Sequence, residues 1–255
     1  MKQRIRATVR YDGTGFSGSQ LQPGQRTVAG TLTDCLESLL EQQLHLLWAG
    51  RTDAGVHADG NVCAFDAELR FPAGKLAELA NAWLPDDLQI RDCAGVAPGF
   101  HPRFDAVRRV YRYRIYRGAD MPVDRYRYCH HYPGGWDEQV VADTLDRLAG
   151  SHSFHNYSLG VADPADALCS LEPVLQEQSG PELSWVFSGN RFLRHMVCRL
   201  AGVLLAVAGG QATPGQVAAG LERELDFRYV PAPAKGLTLI RVDYMDLTDR
   251  NQESS

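Results

Sequence analysis

Around residue 53 the chain reads Gly50-Arg51-Thr52-Asp53-Ala54-Gly55-Val56-His57-Ala58. A lone carboxylate sits among small residues, with an arginine two positions before it and a histidine four after it. A carboxylate can serve as a nucleophile, because an ester-like covalent intermediate splits one hard step into two easier ones. Glycines let a substrate approach the backbone closely, and loops on a rigid scaffold are where catalytic groups tend to sit. The competing reading is an Asx-type turn in which Asp53 bonds its own backbone, Arg51 makes a loop salt bridge and His57 is a structural hydrogen-bonder. Residue types alone leave both readings open.

A second constellation is electrostatic. From Pro102 to Tyr128 there are eight arginines (103, 108, 109, 112, 114, 117, 125 and 127), three aspartates and no lysine. Arginine interleaved with tyrosine suits phosphate contacts and stacking on unpaired bases; the alternative is a solvated strand face. On a strand, Tyr111, Tyr113 and Ile115 share one face and Arg112 and Arg114 the other. Taken alone, Tyr111 reads as a core aromatic. The chain has no HExxH, no CxxC and no P-loop. Gly13, Gly15 and Gly18 satisfy GxGxxG after a strand, but the following Leu21-Gln22-Pro23-Gly24 does not open the helix that a dinucleotide site requires. No serine or cysteine stands in a recognisable nucleophile setting that would make Asp53 and His57 a hydrolase pair.

The stretch GRTDAGVHA resembles the signature of the TruA-type family of tRNA pseudouridine synthases. Other segments follow in that family's order: YDGTGFSGSQ from Tyr11, FHPRFDA from Phe100, RVYRY from Arg109, NRFLRHMVCRLAG from Asn190 and GL at Gly236-Leu237. The resemblance covers nearly the whole chain. It implies isomerisation of uridine to pseudouridine in tRNA, in the anticodon stem-loop at positions 38 to 40, without metal or organic cofactor. By the same match Asp53 is the catalytic carboxylate, attacking at C1′ or C6 or supporting a glycal intermediate. Tyr111 stacks on the target base, and Arg51 fills the space left by the flipped base or orients the RNA backbone. Leu237, Arg194 and Gln20 complete the substrate-binding set, while Arg103, Arg109, Arg112, Arg114 and His57 contact RNA. A homodimer across which one tRNA lies is also implied. Flipping a base out of its stack costs a few kcal/mol, least at a loop or stem junction.

Three positions depart from the family pattern. Ser19 stands where the family has tryptophan. Cys198 stands where HMVR has the arginine that pairs with the catalytic aspartate. The segment from Ala165 to Leu171, ADALCSL, replaces an arginine-bearing one. A carboxylate without that partner in a closed pocket would have a raised pKa and be a poorer nucleophile. Arg194 lies four residues before Cys198, which in a helix is the same face, and Arg199 is adjacent; one of the two is expected to substitute, Arg194 first. These departures also motivate the alternative of a catalytically weakened or inactive RNA-binding relative.

The elements that must hold these residues follow from periodicity. Residues 3–11 alternate as a half-buried strand. Thr27 caps a helix marked by Val28, Leu32, Leu36 and Leu40. Strands are expected at 45–49 and 60–67 around a loop at 50–59. A helix marked by Leu76, Leu79, Ala80 and Trp83 follows, then a strand near 88–96. This is the β-α-β-β-α-β order of a split βαβ unit. The second half has a strand from Ala106 to Arg117, a partner at 125–132, a helix over Val140 to Leu148, and strands at 172–178 and 183–188. A helix from Phe192 to Ala208, a short one after Thr213-Pro214 and a strand from Leu237 to Tyr244 complete it, with a polar tail at 247–255. The expected fold is α+β: two ferredoxin-like halves, residues 1–100 with the Asp53 loop and 101–255 with the tyrosine strand. Their antiparallel sheets are expected to join into one central sheet with helices on its outer face.

Totals narrow the class further. The 255 residues are 44% hydrophobic and 22% charged, as in soluble globular proteins. The N-terminal MKQRIRATVRYDG reads as a strand and not as a signal peptide, and the apolar run from Leu200 to Ala208 is too short to span a bilayer. Six widely spaced cysteines read as reduced, buried thiols in a cytoplasmic protein. A net charge of −5 sits awkwardly with an RNA partner, so the sequence predicts one basic face on an acidic body.

Overall fold

A computed structural model describes residues 2–222 and 229–245; the expected tail at 247–255 lies outside them. The chain is α+β and divides into two compact units, residues 1–108 with 239–255, and residues 109–238.

In the first unit, β1 (Gln3–Tyr11) is followed by α1 (Val28–Leu40), β2 (Leu47–Trp48), β3 (His57–Ala67), α2 (Lys75–Asn81) and β4 (Leu88–Val96). β1 lies between β3 and β4, antiparallel to both, and β2 pairs with β3. The alternation of β1 is literal: Ile5, Ala7 and Val9 have no exposed surface, while Arg4 and Arg6, on the opposite face, reach Asp66 and Asp92. α1 begins where Thr27 accepts from the Gly30 amide at 3.2 Å, satisfying one of the orphan donors of the first turn. Its apolar stripe, Val28, Leu32 and Leu36, is wholly buried. Each such side chain contributes about 1.5–3 kcal/mol by leaving water.

Two expectations fail here. β3 starts at His57, so the loop is shorter than 50–59 and the histidine belongs to the strand. α2 stops at Asn81 and buries Leu76, Ala77 and Ala80, leaving Trp83 76% exposed. The Asn81 amide group explains the stop: it donates to the Ile90 carbonyl and accepts from the Ile90 amide, both at 2.8 Å, tying the helix end to β4.

The second unit holds β5 (Ala106–Tyr116) from Arg109 onward, β6 (His130–His131), α3 (Glu138–Leu148), β7 (Gly150–Ser153), β8 (Leu168–Leu171), β9 (Leu175–Ser179), β10 (Glu182–Gly189), α4 (Met196–Ala208) and α5 (Pro214–Leu221). β10 runs antiparallel between β5 and β9, placing Phe187 opposite Tyr111, Trp185 opposite Tyr113 and Leu183 opposite Ile115 on the core face. β11 (Leu237–Tyr244) closes the described chain, and beyond Thr238 it belongs to the first unit, beside β3.

The expected strand at 125–132 is mostly turn. Pro122 opens a series in which the amides of Arg125 and Cys129 bond the carbonyls of Pro122 and Arg125, and only His130–His131 pair with β5, in parallel. The β7–β8 pair was not foreseen; it takes up Leu168 to Leu171 of the departing segment, with His152 opposite Cys169, after a 3₁₀ turn at Pro164–Ala167. α4 begins four residues later than expected. The Asn190 side chain accepts from the Ser170 and Arg191 amides at 3.0 and 2.8 Å, a local bond that competes with helix. His195 then sits in the left-handed region (φ 61) just before Met196. No helix among the described residues is long and apolar enough to cross a membrane.

Candidate active site

The Asp53 loop joins β2 to β3 and is fixed from beneath. Thr52 is buried, whereas Arg51 and Ala54 are exposed and Asp53 is half-buried. Ser19 grips the Thr52 backbone on both sides: the Thr52 amide donates to the Ser19 hydroxyl at 2.8 Å, and the Ser19 amide donates to the Thr52 carbonyl at 2.9 Å. The Thr52 hydroxyl meets the Tyr11 hydroxyl at 2.8 Å. Asn61 of β3 donates to that tyrosine oxygen at 3.2 Å and to the Gly50 carbonyl at 3.1 Å. The turn is closed when the Val56 amide donates to the Asp53 carbonyl at 3.1 Å.

The segment after β1 reaches this loop only because it is glycine-rich. A Cβ on Gly13 would lie 2.1 Å from the Val56 carbonyl oxygen, and Gly18 has φ +97 with the Thr52 carbonyl 3.0 Å from where its Cβ would be. The GxGxxG pattern thus packs one loop against another. A short 3₁₀ turn at Gly13–Gly15 follows β1, and α1 starts only at Val28.

His57 belongs to this brace. It is 4% exposed, and its Nδ1 accepts from the Gly13 amide at 3.1 Å beside the Asp12 carboxylate at 3.2 Å. The enclosed ring makes a structural contact here, whereas the resemblance placed it among the RNA contacts. Burial also raises Tyr11, to about 12, against the smaller lowering effects of its bonds to Thr52 and Asn61; it is a neutral phenol under all ordinary conditions. Gln20, next to Ser19, is exposed.

In the second unit Tyr111 is 7% exposed and meets Phe192 edge-on at 5.0 Å. Tyr113 is fully buried, stacks on Trp185 and donates its hydroxyl to the Pro233 carbonyl at 3.0 Å. Leu237 is buried at the start of β11.

The arginine run is largely committed within the protein. Arg108 pairs with Asp243, Arg112 with Glu177, Arg117 with Glu138, and Arg125 with Glu182 and Asp124. Arg114 lies 3.9 Å from Glu182. Arg109 falls on the same face of β5 as the tyrosines, is 9% exposed, and donates to the Asn190 carbonyl at 2.7 Å. The charge of the expected basic face is therefore partly offset: strand alternation sets the four arginines of β5, Arg108, Arg109, Arg112 and Arg114, against acids or the core, and Arg117 and Arg125 outside the strand also meet acids. Arg103 is exposed, with its guanidinium 5.7 Å from the ring of Phe104, which is itself 75% exposed.

Around the family's missing arginine, Cys198 is buried within α4. Arg194 precedes that helix, so the four-residue spacing does not place it on Cys198's face as expected; it is exposed, and its carbonyl accepts from the Leu159 amide. Arg199 is the one residue of α4 that is not buried, and its Nε is enclosed without a hydrogen-bond partner.

The brace of Tyr11, Ser19, Thr52 and Asn61 escaped the sequence reading as a unit. Asn61, an amide immediately before the apolar run from Val62 to Phe65, was the available signal.

Comparison with known proteins agrees with the motifs. A family model described as tRNA pseudouridine synthase matches residues 7–105 and 145–245. A protein named tRNA pseudouridine synthase A from Bacillus licheniformis is 36% identical over 94% of this chain and 99% of its own length. Proteins of the same name from Pseudothermotoga lettingae (35%, covering 95% of this chain and all of the relative) and Bacillus subtilis strain 168 (33%, covering 94% and 99%) are similar at nearly full length. A crystal structure of a Cbf5–Nop10–Gar1 complex aligns with 79% of this chain and 45% of its own at 10% identity, with a TM-score of 0.34, too low a likeness to bear on the argument. The chain belongs to the tRNA pseudouridine synthase family.

Proposed function

We propose that this chain isomerises uridine to pseudouridine in the anticodon stem-loop of tRNA, at positions 38 to 40, with Asp53 as the nucleophile. The observation that carries the reading is the Asp53 loop itself. Arg51 and Ala54 on either side of Thr52 and Asp53 reach solvent, while Thr52, the residue before the half-buried carboxylate, is held through its amide, carbonyl and hydroxyl. A nucleophile held in this way is positioned before substrate arrives, which is where much of an enzyme's rate advantage originates.

In the reaction the N1–C1′ bond breaks, the uracil turns, and a C5–C1′ bond forms. The C5 proton leaves for solvent as N1 takes one up, so atoms balance without an oxidant or second substrate. Asp53 forms and then releases a covalent adduct with the nucleoside. Tyr111 stacks on the target base, and Leu237 lines the apolar side of its pocket. Arg51, exposed next to the carboxylate, holds the RNA backbone or the space vacated by the flipped base. Gln20, Arg194 and Arg103 extend the RNA contact, and the working form is a cytoplasmic homodimer.

The test is to incubate the protein with unmodified tRNA transcripts and map pseudouridine by carbodiimide modification and primer extension. Stops confined to positions 38–40 are expected. Modification confined to another arm would overturn the assigned target.

A further inference from the structure

We propose that Ser19 is a positioning residue for Asp53, setting the loop geometry through the backbone of Thr52. The inference rests on Asp53 being the reacting carboxylate.

Ser19 stands where the family pattern has tryptophan, yet it is 2% exposed and its polar atoms are engaged. Its hydroxyl accepts from the Thr52 amide at 2.8 Å and lies 3.4 Å from the Thr52 carbonyl, which also accepts from the Ser19 amide at 2.9 Å. Both backbone polar groups of the residue immediately before Asp53 are therefore held by one small side chain and its own amide. An indole offers no acceptor to an amide, so the hydroxyl half of this brace is a property of serine at this position and not of the pattern it departs from, while the backbone half is open to any residue. Gly18 admits the approach with its positive φ and no Cβ against the Thr52 carbonyl. Tyr11 holds the third polar group of Thr52, its hydroxyl, at 2.8 Å.

Removing the Ser19 hydroxyl leaves the buried Thr52 amide without an acceptor, which the chain relieves by shifting or by admitting water. Either movement is passed on one residue to Asp53. A misplacement of order 1 Å in a reacting group lowers turnover by up to roughly 100-fold. Substrate affinity is shared with contacts outside this loop, at Arg103 and Arg194, and so falls far less than turnover.

The experiment measures kcat and KM for tritium release from tRNA labelled at uridine C5, for wild type, Ser19→Ala, Tyr11→Phe, Asn81→Ala and Asp53→Ala, with a melting curve for each. Asn81→Ala removes a half-buried two-bond brace of the same unit that touches β4 and not the loop. Positioning predicts that Ser19→Ala loses about 10- to 100-fold in kcat with a much smaller change in KM, that Tyr11→Phe moves the same way to a smaller degree, and that Asn81→Ala lowers the melting temperature but keeps kcat. A Ser19→Ala enzyme with wild-type kcat would overturn the proposal, as would kcat losses that track melting temperature across all three variants. Should Ser19→Ala fail to fold, an unchanged kcat in Tyr11→Phe overturns it. Turnover surviving in Asp53→Ala instead identifies the failure as that of the underlying assignment.

Discussion

Thr52 shows how much of this site is backbone chemistry. Its side chain never leaves the interior, yet it carries the neighbouring carboxylate to the surface, because each of its polar groups is answered by Tyr11 or Ser19. Tyr11 in turn is answered by Asn61, and a buried network of this kind is stable only while every member is satisfied. That closure has a consequence at high pH. Tyr11 ionises near its ordinary value of 10 in the unfolded chain but near 12 when folded, so the folded state holds a proton that the unfolded state has lost. Stability from this group is intact below pH 10 and lost progressively towards pH 12, by roughly 3 kcal/mol in full. Chemical denaturation between pH 9 and 12 should therefore show a shallower alkaline loss for Tyr11→Phe than for wild type. Other buried phenols, Tyr113 and Tyr157, are shifted in the same direction and keep the residual slope from vanishing.

At the scale of elements, β5 decides which of its arginines meet acids or the core. Period-two alternation puts Arg109 with Tyr111 and Tyr113 towards the core and sets Arg112 and Arg114 opposite acids of β9 and β10. Arg103 precedes the strand and stays exposed. We expect Arg103→Ala to weaken tRNA binding and to reduce the slope of log affinity against log salt by about one. Arg109→Ala should leave that slope alone and instead cost about 1–3 kcal/mol of stability by leaving the Asn190 carbonyl without its donor; titration of binding against salt, with urea melts, separates the two. The same alternation was readable in the sequence, which located β1, α1, β4, β5, α3 and β11 closely because each has a clean period and a cap or turn at its ends. What could not be read depended on contacts distant in sequence. Asn190 delays α4 by bonding the amide of Ser170, Asn81 ends α2 through Ile90, and the pairing of Ser151 with Ser170 builds a strand pair from a segment that carried no strand signal. At the site, the motif pointed to Asp53 and Tyr111 as candidates, but Ser19 looked like a mere departure. Its bonds to Thr52, 33 residues away, appear only once the chain is folded.

Over the whole molecule, a polyanionic substrate meets a chain of net charge −5. Since six of the eight arginines between Pro102 and Tyr128 are held against acids or a backbone carbonyl, attraction to phosphate comes from local groups and not from the protein's overall field. Placement of one uridine against one carboxylate then carries more of the specificity. This makes the chemistry at Asp53 the claim on which everything else rests, and it separates an enzyme from a relative that binds RNA without changing it. Release of tritium from C5-labelled uridine in unmodified tRNA, measured for wild type and Asp53→Ala under single-turnover conditions, tests it most directly. We predict stoichiometric release by the wild type and none above background from Asp53→Ala, with tRNA binding retained by both. Binding without release by the wild type, or equal release by both proteins, would contradict the account.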